Sequence, residues 1–275
     1  MTPEQLFDLV RNPPAGSPEL ICERVGPVQW VIFNRPEARN AMTFAMYDRL
    51  VEVCGEVNAG RSIRVMVLTG AGGKAFVSGT DISQFKSFST EQHALDYEEG
   101  GNHVMATLES VRVPVLAAIA GPCTGGGAGM AACCDIRLAA PSARYGFPIA
   151  RTLGNCLSMQ NYARLTALLG IAKVKDLILT SRLMNAPEML HTGLAAEVVD
   201  SEDTLLPRTQ ELAEQISQNA PLTLQATKES LRRIAQRLVP EGDLSAQIVM
   251  CYTSHDFHEG VDAFLEKRKP VWTGA

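Results

Sequence analysis

The chain has 275 residues, 46% of them apolar and 20% charged, with a formal net charge of −5. This is the make-up of a globular protein long enough for one large domain or two small ones. The acidic balance argues against nucleic acid as the main partner, since phosphate binding needs a basic face, and no apolar run approaches the ~18 residues of a membrane-spanning helix.

Thr2 is placed to cap a first helix, with Pro3 at its opening position, running to Val10. Residues 11–18, rich in proline, read as a linker. Val25 to Asn34 alternates into a strand at Val28–Phe33, which ends in the polar loop Arg35–Asn40. Thr43 caps a helix to about Ala59, with Met46, Leu50, Val53 and Val57 on one face. Ile63–Thr69 is a β-branched strand, Gly70–Gly73 a turn, Phe76–Ser78 a short strand and Gly79–Thr80–Asp81 a second turn. Ser89 to Val111 reads as a polar loop and helix interrupted at Gly100–Gly101.

Val113–Ala118 is an apolar run that reads as a buried strand, and Gly126–Cys134, small and apolar, as a helix buried on all sides. Ile136–Ala140 is a strand and Ser142–Pro148 is extended. Cys156–Leu169, Ala172–Thr180 and Ala186–His191 read as helices, and Ala195–Val199 as the last strand. From Asp203 onward the pattern is helical, with Pro221 starting one helix and Pro240 bounding another. Strands alternating with helices, then helices alone, argue for an α/β protein divided into an N-terminal extension (1–20), a core (21–200) and a C-terminal helical region (201–275). There is no dinucleotide fingerprint, since Gly125–Gly126–Gly127 lacks its spacing, and no P-loop. Seven scattered cysteines form no CxxC pair and no metal-spaced cluster. Their odd number and the absence of a leader pattern at the N-terminus give the expectation of reduced thiols in the cytoplasm.

The stretch Ile119–Met130 joins the buried strand to the small-residue helix through Gly125, Gly126 and Gly127. Glycine lets a second group approach the backbone. The first amides of a helix have no intrahelical partner and sit at the positive end of its dipole. Such a junction can hold an anion or a developing oxyanion, although glycine runs also serve tight helix-on-sheet packing.

Four ordered stretches give a more specific signal: Asn34–Ala41, Ala75–Ile82, Pro114–Asp135 and Phe264–Pro270. Together they resemble the crotonase superfamily, the enoyl-CoA hydratase/isomerase family, over about residues 20–270. The resemblance implies a superhelix of ββα turns whose C-terminal helices form a homotrimer, often a dimer of trimers. It implies an acyl-CoA substrate, with coenzyme A as part of it and no separate cofactor or metal. It places two main-chain oxyanion donors at Thr80 and Gly126. It also places the CoA and acyl contacts at Ala38, Arg39, Ser78, Thr80, Asp81, Ile82, Gly125, Gly126, Phe264 and Lys267.

The same resemblance fails at the acid/base groups. Where hydratases of the family carry glutamates, this chain has Gly129 and, after Tyr145–Pro148, Ile149. Adding water to an enoyl thioester needs a base for the water and an acid for the α-carbon, and neither residue can serve. The chlorobenzoyl-CoA dehalogenases also have glycine at the first position and place a nucleophilic carboxylate where this chain has Cys156. At a helix start a cysteine can be a thiolate nucleophile; the plainer reading is a small core residue. Glu98, Glu99 and His103 are further acid/base candidates, on the helix that lines the acyl pocket in relatives. Asp81 and Asp135 are read as turn-stabilising. The expected activity is that of an enoyl-CoA hydratase/isomerase-family lyase or isomerase. The alternatives are a CoA-thioester hydrolase, decarboxylase or dehalogenase, or a silent acyl-CoA-binding protein.

Overall fold

A computed structural model of the chain describes residues 1–242 and 245–275. Asp243 and Leu244, inside the expected helical region 201–275, lie outside the described residues. In chain order the elements are α1 (Pro3–Arg11), β1 (Leu20–Val25), β2 (Val28–Phe33), α2 (Phe44–Ala59), β3 (Val65–Gly70) and α3 (Glu91–Glu109). Then come β4 (Val115–Ile119), β5 (Pro122–Thr124), α4 (Gly126–Cys133), β6 (Ile136–Ala139), β7 (Arg144–Gly146), α5 (Ile149–Thr152) and α6 (Met159–Thr180). The remainder is β8 (Met184–Asn185), α7 (Ala186–His191), β9 (Glu197–Val198), α8 (Leu205–Ser217), α9 (Pro221–Gln236), α10 (Ala246–Tyr252) and α11 (His255–Leu265).

Six strands form one sheet in the order β1-β2-β3-β4-β6-β9, parallel except for the β1/β2 hairpin, and β5-β7-β8 form a second, smaller sheet. The units β4-β5-α4 and β6-β7-α5 each give one strand to each sheet, which is the repeating ββα turn expected from the sequence. The large sheet is covered on both faces. Its strands are therefore nearly continuous apolar runs, as buried parallel strands are. One face packs Trp30, Ile32, Val67 and Leu116 against Leu6 and Val10 of α1 and against Leu205, Leu206 and Ala213 of α8. The other packs Val31, Phe33, Leu68 and Ala117 against α2, α3 and α4. The one indole on the first face, Trp30, is fully buried and gives its Nε1–H to Gln210 Oε1 at 2.8 Å.

Four local expectations change. Leu20–Val25 is a strand in its own right, turned back on β2 at Gly26, whose φ is +56°. Phe76–Ser78 pairs only through a single bridge, Val77 to Cys123. Helix α3 runs unbroken through Gly100–Gly101, because Thr90 caps it and Ala94, Glu98, Val104, Met105 and Leu108 anchor it on both sides of the glycines. Packing of a buried face outweighs the weak propensity of two glycines. The segments 156–169 and 172–180 are one element kinked at Gly170, and that element begins at Met159, with Ser158 as its cap, rather than at Cys156.

Asn40 ties together the loops that carry the site. It is fully buried with φ +56°, accepts from Arg35 N at 3.0 Å, and donates to Ala71 O at 3.0 Å and Ala75 O at 2.8 Å. Asn40→Ala strands three backbone groups, two of them buried, and puts a Cβ-bearing residue with no local hydrogen bond in the left-handed region. The expected loss is about 2–4 kcal/mol, read as a lower urea midpoint with an unchanged slope.

Candidate active site

The site begins where two chain turns meet. Thr124 donates its N–H to Val77 O at 3.0 Å and its hydroxyl to Ser78 O at 2.8 Å, clamping the end of β5 to the Val77–Thr80 segment. The chain then turns at Gly125, φ +53°, and enters α4 with no side-chain cap. A Cβ on Gly127 would lie 2.2 Å from Val77 O, and one on Gly126 would lie 2.3 Å from the Tyr47 hydroxyl. Neither position tolerates a side chain without movement of its neighbours. Among the described residues, neither Thr80 N–H nor Gly126 N–H has a hydrogen-bond acceptor. These two free donors sit on adjoining turns, one of them at the positive end of a helix.

The Thr80 side chain is held from both sides, by Tyr47 OH at 3.0 Å and by Tyr97 OH at 2.9 Å. Burial pushes the Tyr47 phenol up to about 12 and raises that of Tyr97 as well. Both remain neutral hydroxyls. Below this, Asp81 pairs with Arg35 at 3.0 Å and caps the following turn through Ser83 N at 3.1 Å. Asp135 accepts from Val115 N at 2.7 Å and pairs with Lys228 of α9. Both aspartates thus hold a backbone N–H and a cationic side chain.

The turns open into a cleft of about 1030 Å³. Of the residues expected from the sequence, Ala38, Arg39, Ser78, Thr80, Asp81, Ile82, Glu98, Gly125, Gly126, Phe264 and Lys267 all line it. So do Gly129 and Ile149. The first stands against Met105, whose Cε would be 3.1 Å from an added Cβ, and the second is buried.

Of the acid/base candidates Glu98, Glu99 and His103, it is Glu98 that lines the cleft, which also carries the carboxyls of Glu37, Asp48, Asp81 and Asp96. Glu98 is 8% exposed, takes the Tyr252 hydroxyl at 2.5 Å and accepts from the Ser158 backbone. Burial dominates these two stabilising hydrogen bonds and pushes the carboxyl up to about 7. Asn155 donates Nδ2–H to Tyr252 OH at 3.1 Å, so the phenol proton is directed at Glu98, and Asn155 Oδ1 is left buried without a partner. A carboxyl with its pKa near neutrality can take up or release a proton at physiological pH.

Three candidates fall outside the cleft. Glu99 and His103 are exposed on the opposite side of α3, since a helix turns neighbouring residues to different faces. Cys156 does not start a helix and does not line the cleft. Its thiol donates to Gln247 O at 3.4 Å, and its hydrogen bond with Cys251, followed by burial, pushes its pKa up rather than down. The thiolate argument for Cys156 therefore loses its geometric premise. The residues that sequence reasoning passed over are Tyr47, Tyr97, Asn155 and Tyr252. Each is an isolated polar residue in an amphipathic helix or loop, and only the fold brings them to one place. Among the described residues, no group of three or more His, Cys, Asp and Glu side chains could hold a metal ion, and no helix is long and apolar enough to cross a membrane.

Comparison with known proteins identifies the family and the fold. Residues 23–275 match the family model described as enoyl-CoA hydratase/isomerase. A short-chain-enoyl-CoA hydratase of Clostridium acetobutylicum is 34% identical over 255 residues, covering 91% of this chain and 95% of that protein. A crotonyl-CoA hydratase of Syntrophomonas wolfei is 31% identical, covering 91% and 96%. Among solved structures, an enoyl-CoA hydratase/carnithine racemase from Magnetospirillum magneticum superposes with a TM-score of 0.76 at 34% identity, covering 94% of this chain and 97% of its own. A methylmalonyl-CoA decarboxylase bound to 2-nitronate-propionyl-CoA reaches 0.85 at 26% identity, covering 94% and 100%. With its ββα repeats and its match over nearly the whole length, the chain belongs to the enoyl-CoA hydratase/isomerase family of the crotonase superfamily.

Proposed function

We propose that the cleft takes an acyl-CoA thioester, that Thr80 N–H and Gly126 N–H hold its carbonyl oxygen, and that Glu98 moves a proton at the α-carbon of the acyl group. The observation that carries this reading is a buried carboxyl in the same cleft as two backbone donors that have no acceptor among the described residues. Enolate charge builds on the thioester oxygen as a proton leaves the α-carbon, and one well-aimed donor is worth about 3–4 kcal/mol there. A single carboxyl suffices for a 1,3-shift of a carbon–carbon double bond: it removes the proton at one carbon and returns it at another. Hydration needs two groups, and Gly129 and Ile149 supply neither. The reaction supported best is therefore isomerisation through an enolate. The phosphate-bearing half of CoA falls to Arg39 and Lys267, with Phe264 available to stack on the adenine.

A second reading, decarboxylation of a carboxyacyl-CoA, is favoured by the TM-score of 0.85 to a decarboxylase. Loss of CO₂ leaves the same enolate, which needs only a proton donor. In solution we propose a cytoplasmic homotrimer or dimer of trimers. It is supported by α9, which buries none of its residues and leaves Leu222, Leu231 and Ile234 at 77%, 60% and 67% exposure. Sedimentation at a mass of one chain would overturn the assembly.

The pH dependence of turnover distinguishes the two chemistries. As a base, Glu98 gives a kcat/KM that rises through about pH 7; as a proton donor after decarboxylation it gives one that falls there. Tyr252→Phe removes a hydrogen bond that lowers the Glu98 pKa, so the limb should move to higher pH. Glu98→Gln should cost roughly 10²-fold or more in turnover. Turnover undiminished in that variant overturns the role of Glu98. Crotonyl-CoA hydration should stay well below ~10 s⁻¹, the median enzymatic rate. If no acyl-CoA in a panel read by mass spectrometry is converted, the protein is a silent binder.

Stability carries the same signature. Between about pH 4.5 and 7 native Glu98 holds a proton that the unfolded chain has released, so stability present below pH 4.5 is lost as pH rises through about 7. That loss, about 3 kcal/mol, should be absent in Glu98→Gln, whose unfolding free energy gains on the wild type across this window.

A further inference from the structure

Gly100 and Gly101 sit in the middle of the unbroken helix α3, line the cleft, and would meet nothing within 4 Å if each gained a Cβ. No left-handed backbone angle is needed at either position. No neighbouring backbone or side chain forbids a larger residue. Glycine is the poorest helix former after proline, so both positions weaken α3 without serving its packing. On the cleft side of the helix they fall between Tyr97, one turn before, and Val104 and Met105, one turn after. The face therefore reads large, empty, large. Gly129 of α4 stands against Met105 and lines the same cleft.

The wall beside the gap is aromatic. Tyr97 is surrounded by Phe85 at 4.9 Å, Phe88 at 5.8 Å, Tyr252 at 6.0 Å and Phe44 at 6.1 Å between ring centroids, and all of these rings line the cleft. Edge-to-face and tilted pairs at such distances are attractive beyond simple burial. A further ring entering at Gly100–Gly101 would extend the cluster.

We propose that the Gly100–Gly101 gap is a specificity notch that admits an acyl group bearing an aromatic ring. This rests on the acyl-CoA reading above and names its substrate class as aryl-substituted acyl thioesters. The glycines act by leaving room, and Tyr97 with Phe85 and Phe88 supplies the surface the ring packs on.

The test is calorimetric titration of the full-length protein with butyryl-CoA and with 3-phenylpropionyl-CoA, which is saturated and carries no double bond to shift. The wild type should bind the phenyl compound at least ~10-fold more tightly, the discrimination expected when a snug apolar pocket is filled. Gly101→Leu should cut that affinity by a similar factor and leave butyryl-CoA within about twofold. The Gly100→Ala, Gly101→Ala double variant should raise the thermal midpoint, which shows that the glycines are not required by the fold. Equal binding of the two thioesters overturns the notch and leaves the acyl-CoA reading standing. Equal loss of both in Gly101→Leu, or a changed oligomeric state in either variant, assigns the glycines to packing or assembly instead. Failure of butyryl-CoA itself to bind the wild type overturns the acyl-CoA reading from which the notch was inferred.

Discussion

The close approach of α4 to the Val77–Thr80 segment is the constraint on which the site depends. A carbonyl, Val77 O, and a phenol, Tyr47 OH, occupy the space where the first side chains of α4 would stand. With glycine at 126 and 127 the helix start comes within reach of the neighbouring turn, and Thr80 and Gly126, from separate segments, line one cleft. A Cβ at 127 would meet backbone and push the helix away, whereas one at 126 would displace the Tyr47 hydroxyl from Thr80. The clamp of Thr124 on Val77 and Ser78 sets the same distance from the strand side. The buried hydroxyls of Tyr47 and Tyr97 grip the Thr80 side chain, which fixes the direction of its backbone.

A second balance decides what the cleft can do. Two hydrogen bonds, from Tyr252 and from the Ser158 backbone, favour the ionised form of Glu98, while burial opposes it and dominates. Water would solvate the carboxylate at an exposed position, and the same residue on the outer face of α3 would be an ordinary surface acid. Glu99 stands one residue away, on that outer face. Tyr252, which bonds to Glu98, packs on the aromatic cluster around Tyr97.

The C-terminal helices complete the cleft, which the ββα core leaves open. Lys228 of α9 reaches back to Asp135 and to Val113 O at 2.7 Å, fastening the tail to the core beneath α4. Helix α10 then brings Tyr252 to Glu98, and the end of α11 brings Phe264 and Lys267 to the side of the cleft. Two groups assigned here to proton transfer and CoA contact thus lie far apart in the chain and meet because the tail is anchored.

Local signals determined a good part of this protein. The caps at Thr2 and Thr43, the apolar run of β4, the small-residue helix after a glycine triplet and the family motifs identify the α/β fold and the two turns that meet at the cleft, because each is a relation between residues close in the chain. The absence of carboxylates at Gly129 and Ile149 is equally legible. Tertiary structure decided the rest. It turned Glu98 inward and Glu99 and His103 outward, since the orientation of α3 is set by what the helix packs on rather than by its own polar pattern. It carried α3 straight through Gly100–Gly101, because buried anchors on either side outweigh local propensity. It moved the start of α6 to Met159 and left the Cys156 thiol against α10. And it assembled Tyr47, Tyr97, Asn155 and Tyr252 around one cleft, which no spacing in the chain encodes, because contacts across such separations exist only once the sheets and the tail have folded together.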